Sequence, residues 1–186
     1  MSASSFKVTF KLDEEDAKYF RSLFRKARKA AAEQDPAQIL AAAKSLVASV
    51  RANKRTPGFV REAIDTLQDL TEIIEDKNYA APAKVQADVI GALAYFANSE
   101  DLIPDEIPVL GFLDDAIMIK FVEEQFKHEL QAFRKFRKFL RGAEQRPWTT
   151  VASARLPGRM GAIRDKLRAE VNRKTAAEQE RGLTGF

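Results

Sequence analysis

Residues 89–122 read VIGALAYFANSEDLIPDEIPVLGFLDDAIMIKFV, and this stretch decides the fold class. Its first part continues a helical pattern that starts after Pro82, with apolar residues around more than half of the helix circumference, which predicts a central, largely buried helix. An irregular turn with Pro104 and Pro108 follows. A second helical pattern then runs from about Asp114 to Leu140. Two apolar helices joined by an acidic, proline-containing turn therefore form the predicted centre of the protein.

Three further helices are predicted before this stretch. Asp13 precedes three acidic residues and an apolar stripe, and the pairs Asp35-Pro36 and Thr56-Pro57 each place a capping residue before a proline at the first helical position. A last, thinly apolar helix is predicted over about 160–178, after a linker over 143–160 that contains Pro147 and Pro157. The predicted fold class is all-α, a bundle of five to six helices with a short N-terminal β-strand.

The strand is predicted over residues 6–12, where Phe6, Val8, Phe10 and Leu12 alternate with polar residues. A single strand is not stable in water. It must pair with a short candidate strand at Trp148–Val151 or with its copy in a second chain, and the second choice predicts a homodimer. The expected organisation is a helical domain over 1–141 and a basic linker with a C-terminal helix or tail over 142–186.

The composition excludes several classes of protein. Cys is absent and His occurs once, which excludes disulfides, a cysteine nucleophile and Cys/His zinc sites. No signal-peptide pattern and no apolar run of about 18 residues occurs, so we expect a cytoplasmic protein, either soluble or peripheral at the inner membrane. The single His128 is expected to be a partly exposed helix residue, because no second imidazole exists to share a metal.

The charge is divided unevenly. Residues 127–186 carry 15 Lys and Arg against 6 Asp and Glu, although the whole chain has a formal net charge of only +4. Within this part, the segment 126–141, FKHELQAFRKFRKFLR, alternates aromatic and basic residues. Such a helix suits an anionic membrane surface, with nucleic acid as the rival partner and an acidic protein as a third. The alternative is that the Phe residues pack on the preceding helices. The candidate surface residues are Lys127, Arg134, Lys135, Arg137, Lys138, Arg141, Phe133 and Phe136.

The acidic turn has two interpretations. Carboxylates held between two prolines and a glycine are ligands that Mg²⁺ or Ca²⁺ accepts, which makes Asp101, Asp105, Asp114 and Asp115 candidate metal ligands. The more economical interpretation is structural. One of Asp114 and Asp115 caps the second helix, and one of Asp101 and Asp105 accepts backbone N–H groups in the turn. No catalytic residue and no cofactor is predicted.

The ordered motif within 89–122 resembles the signature of the YkvA-like family of bacterial proteins, a domain of unknown function. Where that family usually has a proline before the first aspartate, this chain has Ser99-Glu100. The resemblance implies a helical hairpin with an acidic connecting turn, often associated with membranes, and brings no established activity. The matching residues are Tyr95, Asp101, Leu102, Ile103, Pro104, Asp105, Ile107, Pro108, Gly111, Asp114 and Asp115.

Together these observations predict a non-enzymatic interaction module. Its expected partner is an anionic surface, the cytoplasmic face of the membrane, contacted through the helix 126–141. Nucleic-acid binding through the same surface is the alternative. A divalent-metal-dependent enzyme that uses the acidic turn 101–115 is the second alternative.

Overall fold

The computed structural model describes residues 13–53, 56–97, 113–144 and 150–181. These residues form seven α-helices and one short 3₁₀ segment, so the predicted all-α class is confirmed, with one or two helices more than expected. The N-terminal strand prediction at 6–12 and the dimer derived from it lie outside the described residues. The elements are α1 (Glu14–Ala31), α2 (Pro36–Ala52), α3 (Gly58–Glu75), α4 (Ala83–Leu93), the 3₁₀ segment (Ala94–Ala97), α5 (Leu113–Gln125), α6 (Lys127–Glu144) and α7 (Thr150–Glu180).

Two of the predicted helix starts are confirmed by their hydrogen bonds. The Asp13 carboxylate accepts the backbone N–H groups of Glu15 and Asp16, while the Asp16 carboxylate accepts the N–H of Asp13, which is a complete capping box. Asp35 accepts the N–H of Ala37 at 3.0 Å at the start of α2. Both helices therefore begin where their local sequence places them.

The predicted role of Thr56 as the N-terminal cap of α3 is wrong. The buried Thr56 hydroxyl donates a hydrogen bond of 3.1 Å to the carbonyl of Val50, near the end of α2, and α3 begins without a side-chain cap. The carbonyls at the end of a helix and the N–H groups at its start lack partners within that helix. The Thr56 hydroxyl binds such a carbonyl at the end of α2, and it does not cap an N–H group at the start of α3. Thr56 thus stabilises the connection between α2 and α3.

Helix α3 lies at the centre of the bundle. It packs against α2 on one side and against α5 and α6 on the other, while α1 lies across α4 and the 3₁₀ segment. Its apolar side chains recur every three or four residues of the sequence, a spacing that predicts one buried face, and this stripe is buried except at its last residue, Ile74. The core side chains of α3 include Val60, Ile64, Leu67, Leu70 and Ile73.

The second half of the chain differs from its predicted boundaries. The single helix expected from Asp114 to Leu140 is two helices with a break at Phe126, although hydrogen bonds from Phe126 to Val122 and from Leu130 to Phe126 continue across the break. Helix α7 begins at Thr150. The predicted linker over 143–160 is therefore wrong for residues 143–144, which lie in α6, and for residues 150–160, which lie in α7. The candidate strand at Trp148–Val151 is likewise wrong for its last two residues.

Helix α7 runs antiparallel to α6 and packs along it. Lys127 and Lys135 of α6 pair with Glu178 and Glu170 of α7, at 2.9 and 2.8 Å. A proline inside a helix removes one backbone hydrogen bond and costs about 3 kcal/mol, which is the reason that Pro157 indicated a linker. The packing against α6 outweighs this local preference, and α7 passes through Pro157 as a helix.

Candidate functional site

Helix α6 carries all of the predicted surface residues, and the structure separates them into three groups. The aromatic residues face inward. Phe133 and Phe136 are both 0% exposed and pack against the ring of Tyr79, with ring centroids 5.1 and 5.4 Å apart. The prediction that these two rings contact a membrane or unpaired bases is therefore wrong, because each is buried in the core between α6 and the α3–α4 loop.

A second group of basic residues is held in ion pairs between helices. Arg134 and Arg137 both contact Asp69 of α3, at 2.6 and 3.4 Å, and Arg137 also pairs with Glu72. Toward α7, Lys135 pairs with Glu170. Most of these charges are already matched by carboxylates of the same chain, and they join α6 to its neighbours.

Lys127 belongs to the same paired group, because it contacts Glu124 and Glu178 at 2.6 and 2.9 Å. The neighbouring His128 is half-buried, with its Nε2 atom 3.0 Å from the Glu178 carboxylate. Its environment fits the expectation of a partly exposed helix residue. The basic start of α6 is thus bound to the end of α7.

The third group differs from the second in having no ion-pair partner among the described residues. Lys138 and Arg141 lie one turn apart near the end of α6 and make no ion pair with any described residue. Arg155 and Arg159 lie one turn apart on α7 and are exposed. The guanidinium of Arg159 lies 5.7 Å from the ring centroid of Phe139, which brings the two helices together at this end. We call these four residues, Lys138, Arg141, Arg155 and Arg159, the basic tip.

The acidic turn is described only in part. Asp101 and Asp105 lie outside the described residues. Asp114 and Asp115 lie in the first turn of α5, buried to 5% and 9% exposure, where a negative charge is favoured by the helix dipole. Among the described residues, no three His, Cys, Asp or Glu side chains come together as a metal site. The two carboxylates are thus at the predicted helix start, but inside the helix instead of at its cap.

Sequence reasoning missed a buried polar cluster that joins three elements. The Tyr79 hydroxyl donates a hydrogen bond of 2.7 Å to Glu129 of α6, and Arg168 of α7 donates one of 2.6 Å to the other oxygen of the same carboxylate. The Arg168 guanidinium also lies 5.4 Å from the centroid of the Tyr79 ring. Tyr79 and Glu129 are 1% and 5% exposed. We call these three residues the Tyr–Glu–Arg cluster.

The α3–α4 loop places Tyr79 in this cluster. Asp76, directly after α3, accepts the backbone N–H groups of Asn78 and Tyr79 at 2.8 and 3.0 Å, and Ala80 adopts a left-handed φ of 47°. Burial, followed by the negative charge and hydrogen bonding of Glu129, raises the pKa of Tyr79 well above its usual range. The phenol therefore stays protonated and donates its hydrogen bond to the Glu129 carboxylate within the cluster.

One signal for this cluster existed in the sequence. Glu129 lies three residues after Phe126 and four before Phe133, so it falls within the apolar stripe of α6. A carboxylate at such a position is buried and needs a hydrogen-bond partner. The identity of that partner depends on how α7 packs, and the local pattern around Arg168 does not indicate it.

None of the described helices combines the length and apolar character needed to cross a bilayer. Residues 88–121 match the model of a family described as Protein of unknown function (DUF1232), and this segment nearly coincides with the one that carries the sequence resemblance. No curated protein and no solved structure matches the chain. The matched segment covers 34 of the 186 residues, so it supports an uncharacterised domain family for the second half of α4, the acidic turn and most of α5.

Proposed function

We propose that the protein is a non-enzymatic module that binds the anionic face of a membrane through its basic tip. The observation that carries this proposal is the contrast within α6. Lys127, Arg134, Lys135 and Arg137 are paired with carboxylates, whereas Lys138 and Arg141 make no ion pair with any described residue. Together with Arg155 and Arg159 they concentrate four cations at one end of the α6–α7 pair. Placement in the YkvA-like family is part of the same proposal.

The buried phenylalanines change the expected mode of binding. With Phe133 and Phe136 in the core, aromatic insertion contributes nothing from these positions. Binding then depends on charge. Each Lys or Arg near an anionic surface contributes about 1 kcal/mol, and the attraction is screened beyond about 8 Å at physiological ionic strength. The proposal therefore requires a strong dependence on salt.

The test is co-sedimentation with vesicles of phosphatidylcholine containing phosphatidylserine, compared with phosphatidylcholine alone, at low and high salt. The variant K138Q/R141Q removes two charges of the basic tip and is expected to lower the partition coefficient about 30-fold at low salt, from about 1 kcal/mol for each charge. The matched control is K26Q/K29Q. It removes two exposed cations with the same spacing on α1.

The proposal requires that the control variant keeps wild-type binding. Equal loss in both variants would show a general effect of net charge and would contradict a localised surface. Wild-type binding by K138Q/R141Q would also contradict it. A gel-shift assay with single-stranded and double-stranded nucleic acid is run in parallel. If the protein shifts nucleic acid but does not bind vesicles, the partner is nucleic acid and the membrane proposal is wrong.

A further inference from the structure

The first part of α7 lies outside the hydrophobic core. Among the α7 residues whose side chains the structure describes, residues 155–161 come first, and none of them is fully buried: Leu156, Met160 and Gly161 are half-buried and the other four are exposed. The described α7 side chains that pack in or against the hydrophobic core all follow this segment, and they are Ile163, Leu167 and Val171. We call residues 155–161 the strap.

The polar contacts that hold α7 to the bundle also begin after the strap. Arg164 donates a hydrogen bond of 3.4 Å to the carbonyl of Asn78. The α7 residues that form ion pairs with α6 lie further along the helix, and they are Arg168, Glu170 and Glu178. The strap forms no ion pair with any described residue, and its Arg159 guanidinium lies 5.7 Å from the ring centroid of Phe139. Within the described part of the chain, the strap is thus held by the partial burial of two apolar side chains and by this cation–π contact.

The sequence of the strap also disfavours a helix. Pro157, Gly158 and Gly161 fall within seven residues, although the segment is helical. Relative to alanine, a proline inside a helix disfavours the helical state about 100-fold and a glycine about fivefold. A Cβ atom at residue 158 or 161 would meet nothing within 4 Å, so no close approach of a neighbouring element requires either glycine. A segment with poor helix formers and few buried contacts opens locally at a lower free energy than the rest of the protein.

We propose that the strap docks on α6 reversibly and that an anionic membrane surface stabilises its docked, helical state. This inference rests on the function proposed for the basic tip. Lys138 and Arg141 belong to α6, whereas Arg155 and Arg159 belong to the strap, so the basic tip is complete only when the strap is docked. A ligand shifts a conformational equilibrium by the difference in its affinity for the two states. Each cation near an anionic surface increases affinity about fivefold, so the two arginines favour the docked state up to about 30-fold.

Hydrogen–deuterium exchange of the full chain at pH 7, measured by mass spectrometry, tests the reversible docking in the absence of vesicles. The amide protection factors of residues 155–161 are expected to be at least tenfold lower than those of residues 167–176 in the same helix. Equal protection of the two segments would show that α7 opens as one unit and would overturn the proposal.

The variant G158A/G161A tests whether local helix stability controls the docking. Two alanines favour the helical state about 25-fold, and the space around both positions accepts the added Cβ atoms. The protection factors of the strap should therefore rise at least tenfold. The control Gly58→Ala makes the same change at the first residue of α3, where a Cβ atom also meets nothing within 4 Å, and should leave the strap unchanged. Unchanged protection in G158A/G161A, or an equal rise in the control, would overturn the proposal.

Vesicles of phosphatidylcholine with phosphatidylserine, added at low salt, test the coupling to the membrane surface. They should raise the protection factors of the strap at least fivefold, whereas vesicles of phosphatidylcholine alone should leave them unchanged. The variant L156G/M160G removes the two half-buried apolar side chains of the strap and keeps all four cations of the basic tip. It should bind the anionic vesicles at least fivefold more weakly than the wild type.

The matched control A169G/A176G places two glycines at exposed positions in the second half of α7 and should bind like the wild type. Equal binding by L156G/M160G and the wild type, or vesicle binding that leaves the protection of the strap unchanged, would overturn the coupling. Failure of the function proposed for the basic tip gives a different result. If the strap exchanges fast and G158A/G161A slows it, but the wild type binds no vesicles, reversible docking is supported and the membrane surface is overturned as its partner.

Discussion

Replacing members of the Tyr–Glu–Arg cluster tests whether it clamps α7 onto the bundle. Arg168→Met leaves the Glu129 carboxylate buried at 5% exposure, with only the Tyr79 hydroxyl as its remaining described partner. Removing one partner of a buried ion pair costs about 3–5 kcal/mol. Because the phenol still donates to the carboxylate, we expect the lower end of this range, about 3 kcal/mol of unfolding free energy.

Removing the carboxylate of the pair instead of the guanidinium is expected to lower the unfolding free energy by less. In Glu129→Met the remaining charge belongs to Arg168, whose side chain is 20% exposed and therefore keeps contact with water. We expect a loss of about 2 kcal/mol. In the double variant E129M/R168M no charge is left unpaired, and apolar side chains that replace a buried ion pair are often tolerated with little loss. The double variant should therefore lose only about 2–3 kcal/mol, instead of the roughly 5 kcal/mol that the single losses sum to, which gives a coupling energy of about 2–3 kcal/mol between the two residues.

Urea unfolding at pH 7, followed by circular dichroism, measures all four free energies of the cycle. The exposed pair Lys44–Glu75 joins α2 and α3 at 2.8 Å and provides the matched cycle, K44M/E75M, for which we expect a coupling below about 1 kcal/mol. If the losses of E129M and R168M add to within about 0.5 kcal/mol, the residues do not act as a unit. That result would refute the reasoning.

Two further predictions concern the acid stability of the α6–α7 pair and the α3–α4 loop. Hydrogen bonds from Lys135 and then Lys174 lower the pKa of Glu170 from 4.5 to about 2, so its stabilising contribution is complete above about pH 4.5 and is lost as the pH falls through about 2. The melting temperature of Glu170→Gln should therefore lie below that of the wild type at pH 6 and approach it near pH 2; a pH-independent difference would contradict this. Ala80→Gly should raise the unfolding free energy by up to about 1 kcal/mol, because Ala80 has a left-handed φ of 47°, whereas Ala87→Gly within α4 should lower it by about 1 kcal/mol. Urea unfolding measures the free energy of both variants. If both substitutions lower it, the left-handed conformation at residue 80 does not destabilise the protein when the residue is alanine.

The sites that sequence reasoning missed or misjudged share one physical cause. The prediction for the helix 126–141 noted that aromatic and basic residues occur together, but a helical wheel does not show which partner covers each face. Phe133 packs on Tyr79, and Arg134 meets Asp69, across more than fifty residues of sequence. Thr56 is a good capping residue, yet the Val50 carbonyl binds its hydroxyl. In each case a contact distant in sequence, or in a neighbouring element, decides the role of a residue whose type was identified correctly.

The sequence by itself determined the helical class, the starts of α1 and α2 and the buried stripe of α3. These features depend on interactions within four residues along the chain, namely capping hydrogen bonds and the repeat of apolar side chains. The tertiary structure alone decided that α7 continues through Pro157 and that Glu129 is held by Tyr79 and Arg168. It also decided that the α6 cations without an ion pair to a described residue lie at the end of that helix. The reason is that a buried charge or aromatic ring gains its stability from neighbours that only the packing of helices brings within reach.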